Sequence, residues 1–243
     1  MIDPPHVETP SPNHEPRPPG TPVDMLILHY TGMATAAAAL DRLREPDAKV
    51  SAHYLIDTDG TIHAMVPESR RAWHAGAAEW AGARDINDRS VGIELVNPGH
   101  DIDYRAFPEA QITALIDLGT VIRARHPIPA HRVLGHSDVA PQRKADPGER
   151  LPWDRLVAHG LGIAPVETEP PPALPEIAWF QRTLATIGYA APDSGELDAA
   201  TRNVLTAFQR RFRREAITGA PDSGTAARLV GVYRQLEALG ALA

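Results

Sequence analysis

Residues 25–32 read Met-Leu-Ile-Leu-His-Tyr-Thr-Gly, an apolar run that ends at a histidine. The four large apolar side chains of Met25–Leu28 predict a buried strand. His29 then stands where this strand opens into a loop, at the rim of the predicted sheet. Taken alone, His29 fits a hydrogen-bonded structural histidine at least as well as a functional one.

Further strand and helix signals interleave along the chain after this strand. Asp59-Gly60 separates two strand-like runs, which predicts a hairpin within residues 52–66. Apolar residues at helical spacing predict a helix over Pro108–Arg125. The other predicted elements are a helix over Ala34–Arg44 and strands over Val91–Val96 and His131–Gly135. This order predicts an α/β fold with a mixed central β-sheet flanked by helices.

The C-terminal part of the chain follows a helical pattern throughout. Three apolar stripes at helical spacing lie within residues 177–187, 204–212 and 229–236. The pattern G-x-x-D-x-x-T occurs twice, beginning at Gly195 and at Gly219. A turn glycine followed by an aspartate suits the N-cap of the next helix. We therefore expect a small all-α domain of three helices.

Two proline-rich segments divide the chain. Residues 1–22 contain so few aliphatic side chains that burial would not offset the ordering of their backbone, which predicts an extended tail. Residues 164–175 include PVETEPPPALP and predict a stiff linker. The predicted domains are therefore residues 23–163 and 176–243.

The composition excludes several functional classes. The 243 residues carry 24 Lys+Arg and 31 Asp+Glu, and this net charge of −7 argues against a nucleic-acid partner. No apolar run reaches the length of about 18 residues that indicates a membrane span. The absence of cysteine excludes disulfides, thiolate ligands and a cysteine nucleophile, so a metal would need carboxylates and some of the 11 histidines.

The loop after the last predicted strand gathers polar side chains. It contains His136, Asp138, Lys144 and Asp146. Together with His29, this loop supplies two imidazoles and a carboxylate, the ligand set of a catalytic zinc site that keeps one position for water. Asp138 competes with Asp146 for the carboxylate position and equally suits an orienting contact. A polar loop with a salt-bridged lysine is the alternative.

Two further segments are candidates for catalysis or binding. Glu94 lies in the apolar run 91–96, where a buried carboxylate is costly, and this marks it as a candidate general base with a raised pKa. The alternation of that run equally fits a solvent-facing Glu94. Trp73, His74 and Asn87 suit the floor of a sugar or peptide cleft, or packing beneath a loop.

These segments together resemble the zinc-dependent N-acetylmuramoyl-L-alanine amidases, whose fold is shared with peptidoglycan recognition proteins. The resemblance spans residues 23–161 and rests on LILHYTG, SAHYLI-x-x-DG, AWHAG, INDRSVGIELVN and VLGHSDVAPQRKADPG. The C-terminal region resembles peptidoglycan-binding three-helix domains through WFQRTLATIGY, G-x-L-D-x-x-T and FQRRF. Both resemblances indicate the same polymer.

The amidase resemblance implies a role for each matched residue. It assigns one zinc ion per chain to His29, His136 and Asp146. It assigns the catalytic carboxylate to Glu94 and oxyanion stabilisation to Lys144. Asp138 then becomes an orienting residue beside the ligands, and the residues expected to contact substrate are Trp73, His74, Asn87 and Asn97.

The implied reaction is hydrolysis of the amide between the lactyl group of N-acetylmuramic acid and L-alanine, in peptidoglycan or muropeptides. The alternatives are a non-catalytic peptidoglycan-binding or sensing protein, a cytoplasmic recycling amidase acting on anhydro-muropeptides, and a generic zinc peptidase.

The wall-binding domain favours a location in the cell envelope, the periplasm. We expect the protein to be a monomer. The lack of a visible signal peptide favours the cytoplasm, unless an export signal lies upstream. We expect the C-terminal domain to be a tether whose removal leaves activity on small muropeptides intact.

Overall fold

The computed structural model describes residues 3–242 of the chain. Over these residues the strands are β1 (His6–Glu8), β2 (His14–Pro16), β3 (Met25–Tyr30), β4 (Tyr54–Ile56), β5 (Ile62–Ala64), β6 (Arg70–Ala72), β7 (Glu79–Trp80), β8 (Ala83–Arg84), β9 (Ser90–Leu95) and β10 (Val133–Gly135). The helices are α1 (Ala36–Arg44), α2 (Glu109–Arg125), α3 (His136–Val139), α4 (Trp153–Ala158), α5 (Ile177–Ile187), α6 (Ala199–Phe212) and α7 (Ser223–Ala238). None of these helices is long and apolar enough to cross a membrane.

The central sheet has six strands in the order β1-β5-β4-β9-β3-β10. All neighbouring strands run parallel except β4 and β5, which form the hairpin predicted about Asp59-Gly60. Two small sheets pair β2 with β6 and β7 with β8. The predicted α/β fold with a mixed central sheet flanked by helices is confirmed.

Each face of the central sheet is covered by a different helical layer. Leu26 and Ile93 belong to the core that packs against α2. Met25, Ile27 and Leu134 belong to the core that contains the C-terminal helices. Because successive side chains in a strand alternate between faces, His29 extends the row that faces the C-terminal helices.

The C-terminal region consists of α5, α6 and α7, and the predicted three-helix arrangement is present. Asp198 and Asp222 accept hydrogen bonds from the backbone N–H groups of Thr201 (2.7 Å) and Thr225 (2.8 Å). Both aspartates are thus N-caps, as the repeated pattern predicts.

These three helices pack directly on the sheet region. The rings of Trp80 and Tyr189 meet edge to face with centroids 4.9 Å apart. The linker lies along α7, where the Thr168 hydroxyl donates to the Ala227 carbonyl at 2.7 Å. The helices complete the hydrophobic core on one face of the sheet, so the linker does not hold the two regions apart. The tethering role expected for the C-terminal domain stays a prediction. The domain boundaries at residues 163 and 176 stay predictions.

The N-terminal segment is bound to the sheet region over the described residues 3–22. β1 extends the central sheet through β5, and β2 pairs with β6. The buried Asn13 amide donates to the carbonyls of Glu45 (2.8 Å) and Val50 (2.9 Å). The extended tail expected from the lack of apolar side chains is instead bound to the sheet, because hydrogen bonds order this segment. Met1 and Ile2 of the predicted tail, and Ala243, lie outside the described residues.

Candidate metal centre and substrate cleft

The parallel pairing of β3, β9 and β10 brings polar residues to one edge of the sheet. His29 on β3 is the direct partner of Glu94 on β9, so both side chains face the same side. Gly135 pairs with Leu28, which places the next residue, His136, at the level of His29. Asp146 reaches the same edge through the loop that follows α3.

His29, His136 and Asp146 form a buried triangle of donor atoms. The two Nδ1 atoms lie 2.9 Å apart, and the Asp146 Oδ2 atom lies 3.1 Å from His29 Nδ1 and 3.0 Å from His136 Nδ1. Ligands of a tetrahedral zinc ion with bonds of about 2.0–2.1 Å lie about 3.3 Å apart. The separations are within a few tenths of an ångström of that value. The donor set is one that zinc accepts, so the residues present fit this metal.

Burial and neighbouring charges set the protonation of the triangle. Burial, reinforced by the adjacent His136, lowers the pKa of His29 to about 4, so this imidazole is neutral at pH 7. Burial alone would raise the pKa of Asp146, but the two imidazoles hold it below its ordinary value. A neutral imidazole and a carboxylate are the forms that bind a metal.

A chain of hydrogen bonds determines which nitrogen of His29 faces the triangle. The Ser90 hydroxyl donates to the Ile86 carbonyl at 2.7 Å, so its oxygen is left to accept from His74 Nε2 at 3.2 Å. His74 Nδ1 must then accept from His29 Nε2 at 3.0 Å. This leaves the lone pair of His29 on Nδ1, aimed at the triangle. Burial lowers the pKa of His74 well below its ordinary value. The ring is therefore neutral, and a neutral ring is needed for one nitrogen to donate and the other to accept.

His136 adopts the same tautomer by a different contact. Its Nε2 atom lies 3.0 Å from the backbone carbonyl of Ala75, nearer than the Arg143 guanidinium at 3.3 Å, so we place the ring proton on Nε2. The Arg143 guanidinium donates to the same carbonyl and holds it in place. Both histidines thus face the triangle with Nδ1, the nitrogen that carries the lone pair in this tautomer, which is the arrangement that a metal needs.

Glu94 lies beside the triangle with one oxygen unsatisfied. Within residues 3–242, its Oε2 atom is buried and has no hydrogen-bond partner. Burial and the Asp146 carboxylate raise the pKa of Glu94 to about 8, although Lys144 opposes the shift. Glu94 is half-buried and lines the cleft, on the sheet face that the C-terminal helices cover, so it does not lie on an open outer face of the sheet. A carboxyl group of this kind is suited to proton transfer.

A cleft of about 720 Å³ opens beside the triangle. The sheet region contributes Glu94 and Lys144 to its wall, and the C-terminal helix α6 contributes Asn203, Thr206 and Arg210. These three α6 residues share one helix face because they are three and four positions apart. The cleft is therefore built by both regions of the chain.

The four residues expected to contact substrate divide into two pairs. Trp73 and His74 line the cleft, although both ring nitrogens of His74 are engaged in the chain to His29. Asn87 and Asn97 do not line it. The Asn87 carbonyl oxygen accepts from the backbone N–H of His74 at 3.1 Å, and the Asn97 amide donates to a backbone carbonyl at 2.8 Å. For these two, the expected substrate contact is corrected, because both amides are buried and hold loops.

Asp138 makes none of the expected contacts with the ligand side chains. Its carboxylate accepts from the Gly135 backbone N–H at 2.7 Å, from the Tyr189 hydroxyl at 2.6 Å and from Arg211. Asp138 thus closes the N-terminal turn of α3 instead of competing with Asp146 for the carboxylate position, and its link to the ligands runs through the backbone.

Sequence reasoning missed Ser90, Arg143 and the α6 residues of the cleft. The alternation of β9 carries a signal for Ser90, because it lies on the same face as Glu94. Arg143 lies in the same loop as His136 and Asp146, but its bond to the Ala75 carbonyl joins distant parts of the chain. The position of α6 likewise depends on distant contacts, for which the spacing of residues gives no signal.

Residues 19–149 match the N-acetylmuramoyl-L-alanine amidase family. This match covers just over half of the chain. The chain belongs to the N-acetylmuramoyl-L-alanine amidase family. Residues 174–229 match the peptidoglycan binding domain family, so both predicted resemblances are confirmed. Amidases of this family are in general zinc-dependent.

Two curated amidases show the extent of the similarity. N-acetylmuramoyl-L-alanine amidase AmiD of Escherichia coli K12 is 36% identical over 228 residues, which cover 84% of this chain and 80% of AmiD. 1,6-Anhydro-N-acetylmuramyl-L-alanine amidase AmpD of Enterobacter cloacae is 33% identical over 175 residues, which cover 65% of this chain and 90% of AmpD. The predicted enzyme class is confirmed.

Solved amidase structures extend the similarity to both regions. The complex of E. coli AmiD with anhydro-N-acetylmuramic acid-L-Ala-D-γ-Glu-L-Lys has a TM-score of 0.80 at 33% identity and covers 92% of each chain. AmpDh3 of Pseudomonas aeruginosa in complex with anhydromuramic pentapeptide has a TM-score of 0.79 at 35% identity. That match covers 90% of this chain and 94% of AmpDh3.

Proposed function

We propose that this amidase hydrolyses the amide bond between the lactyl group of N-acetylmuramic acid and the L-alanine of the stem peptide, with one zinc ion per chain. The observation that carries the proposal is the convergence of three donor atoms, from His29, His136 and Asp146, beside an unpartnered oxygen of Glu94. The family and the substrates bound to its relatives supply the bond to be cut.

The three donor residues would hold the zinc ion in this proposal. Zinc, when bound, supplies a Lewis acid that polarises a carbonyl oxygen and lowers the pKa of water toward about 7. The hydrogen bonds from His29 to His74 and from His136 to Ala75 place the ring proton on Nε2, so that the lone pair of the neutral ring lies on Nδ1. The chain thereby maintains its ligands in the binding form before the metal arrives.

Glu94 and Lys144 complete the reaction on the protein side. Glu94 takes a proton from the attacking water and delivers it to the nitrogen of the leaving L-alanine amine. The ammonium of Lys144, in the same cleft wall, stabilises the negative charge that develops on the lactyl carbonyl oxygen. The positive charge of Lys144 also favours the ionised form of Glu94 that accepts the proton.

We assign muropeptides as the substrates that bind in the cleft. AmiD and AmpDh3 are solved with anhydro-muramic peptides bound, and the two-region cleft of about 720 Å³ has the size of a small-molecule site. We therefore expect cleavage of anhydro-muropeptides. We also assign the enzyme to the cell envelope, on the basis of its peptidoglycan binding region, and propose that it is a monomer. Cell fractionation and light scattering test these two assignments.

Product analysis distinguishes this function from its alternatives. Purified protein is incubated with a muramyl tripeptide, with and without a chelator, and the products are weighed by mass spectrometry. We expect the free sugar acid and an intact tripeptide beginning with L-alanine, no products under chelation, and recovery with zinc. Cleavage between amino acids would indicate a peptidase instead, and binding without any product would indicate a non-catalytic recognition protein.

A further inference from the structure

A buried ion pair joins the C-terminal helices to the loop that carries two of the three donor residues. The Arg211 and Asp138 side chains are only 4% and 1% exposed, and the Arg211 Nη1 atom lies 2.5 Å from Asp138 Oδ2. The Tyr189 hydroxyl donates to the other carboxylate oxygen at 2.6 Å. A buried charge that loses its partner is strongly unfavourable, so these contacts hold α6 and α3 in one relative position.

Arg211 also forms a hydrogen bond with the strand that leads to His136. Its Nη2 atom donates to the backbone carbonyl of Val133, the first residue of β10, at 2.9 Å. Its guanidinium lies over the ring of Trp153, 4.2 Å from the centroid. One side chain of α6 therefore contacts both the strand before the donor loop and the first turn of the loop itself.

The Asp138 carboxylate is linked to two donor residues through the backbone. It accepts from the Gly135 N–H at 2.7 Å, and this bond closes the helical turn that begins at His136. In the same turn, the Ser137 N–H donates to the backbone carbonyl of Asp146 at 2.8 Å. A shift of Asp138 therefore displaces the backbone of both His136 and Asp146.

We propose that Tyr189 and Arg211 are positioning residues for the metal centre, acting through Asp138 on His136 and Asp146. This inference rests on the proposed function, since it requires a metal at the triangle. The C-terminal region, in addition to any binding of peptidoglycan, then determines how well the sheet region holds its metal.

The test uses the full chain with Tyr189→Phe, which deletes the hydroxyl and keeps the ring that packs on Trp80. We expect the dissociation constant for zinc to rise about tenfold, the low end for residues that orient a ligand. We also expect the visible absorption bands of the cobalt-substituted protein to shift. Tyr54→Phe is the matched control, because it deletes an equal 2.6 Å hydrogen bond, to Glu68, at the opposite face of the sheet. It should leave both readouts unchanged.

A second variant tests whether the two residues act through one carboxylate. If they do, the effects of Tyr189→Phe and Arg211→Met on zinc affinity will not be additive. The inference is overturned if Tyr189→Phe lowers the melting temperature yet leaves zinc affinity and the cobalt spectrum as in the wild type. His136→Ala separates the two proposals. If it abolishes zinc binding while Tyr189→Phe has no effect, only the positioning role fails; if it leaves zinc binding intact, the metal centre itself is wrong.

Discussion

Glu94 is the side chain to which we assign proton transfer, because one of its oxygens, beside the donor triangle, has no hydrogen-bond partner within residues 3–242. Glu94→Ala removes this group and none of the three donors. We therefore expect muropeptide turnover to fall by about 10²–10⁴-fold, with the zinc content unchanged. Metal analysis and rate measurements on the same sample check this. A variant that stays nearly as fast as the wild type would remove Glu94 from the mechanism.

The raised pKa of Glu94 also predicts how the stability of the metal-free protein depends on pH. The carboxyl group ionises near pH 4.5 in the unfolded chain and near pH 8 in the folded one. Between these values the folded state binds more protons, so Glu94 lowers the free energy of unfolding progressively as pH rises. The glutamine in Glu94→Gln cannot ionise, so the free energy of unfolding of this variant does not fall for this reason as pH rises.

Urea unfolding of chelator-treated protein measures the difference. The stability of Glu94→Gln relative to the wild type should increase between pH 4.5 and 8 by about 2–4 kcal/mol and then level off. A difference between the two proteins that does not change with pH contradicts the assigned burial of the carboxyl group.

Strand β9 has a glycine, Gly92, at the point where the His74 ring packs against it. A Cβ atom at Gly92 would lie 2.5 Å from that ring. We expect Gly92→Ala to reduce stability by about 1–3 kcal/mol and to weaken zinc binding, because a displaced His74 releases His29. Gly119→Ala crowds Leu161 in the core on the other face of the sheet and is the control. Calorimetry should show a loss of stability in both variants, and zinc titration should show weaker binding in Gly92→Ala alone. Equal zinc affinity in the two variants would contradict the role of His74.

Most elements could be predicted from the sequence because their signals are local. The apolar run of β3, the Asp59-Gly60 turn and the caps at Asp198 and Asp222 each depend on neighbouring residues. Asn13 shows what such reasoning lacks, because its amide bonds to carbonyls more than 30 residues away. Proline-rich composition alone does not contain that information.

The candidate site divides in the same way. The resemblance of the matched motifs assigned His29, His136, Asp146, Glu94 and Lys144. Four of these residues line one cleft, and His29 joins them through the donor triangle. Their roles stay predictions until they are tested. The hydrogen-bond chain through His74, and the contact of α6 with Asp138, depend on ring orientation and on packing between the two regions. The spacing of residues along the sequence predicts neither the hydrogen bonds of His74 nor the contact of α6 with Asp138.

For the whole molecule, the packing of the C-terminal helices on the sheet argues against the expectation that the C-terminal region can be removed without loss of activity. A chain ending at residue 163 would expose Met25, Ile27 and Leu134 and leave Asp138 without Arg211. We expect it to be poorly soluble or to unfold at a clearly lower temperature, and to lose activity on small muropeptides as well as on sacculi. A truncated chain with wild-type melting temperature and activity would return the region to the role of a tether.

The central claim is that one zinc ion binds to Nδ1 of His29, Nδ1 of His136 and a carboxylate oxygen of Asp146. Anomalous scattering at the zinc edge, from crystals of the zinc-loaded full-length protein, tests it directly. We predict a single strong peak about 2.0–2.1 Å from each of these three atoms. A peak elsewhere, or ligation through Nε2 of either histidine, would contradict the account.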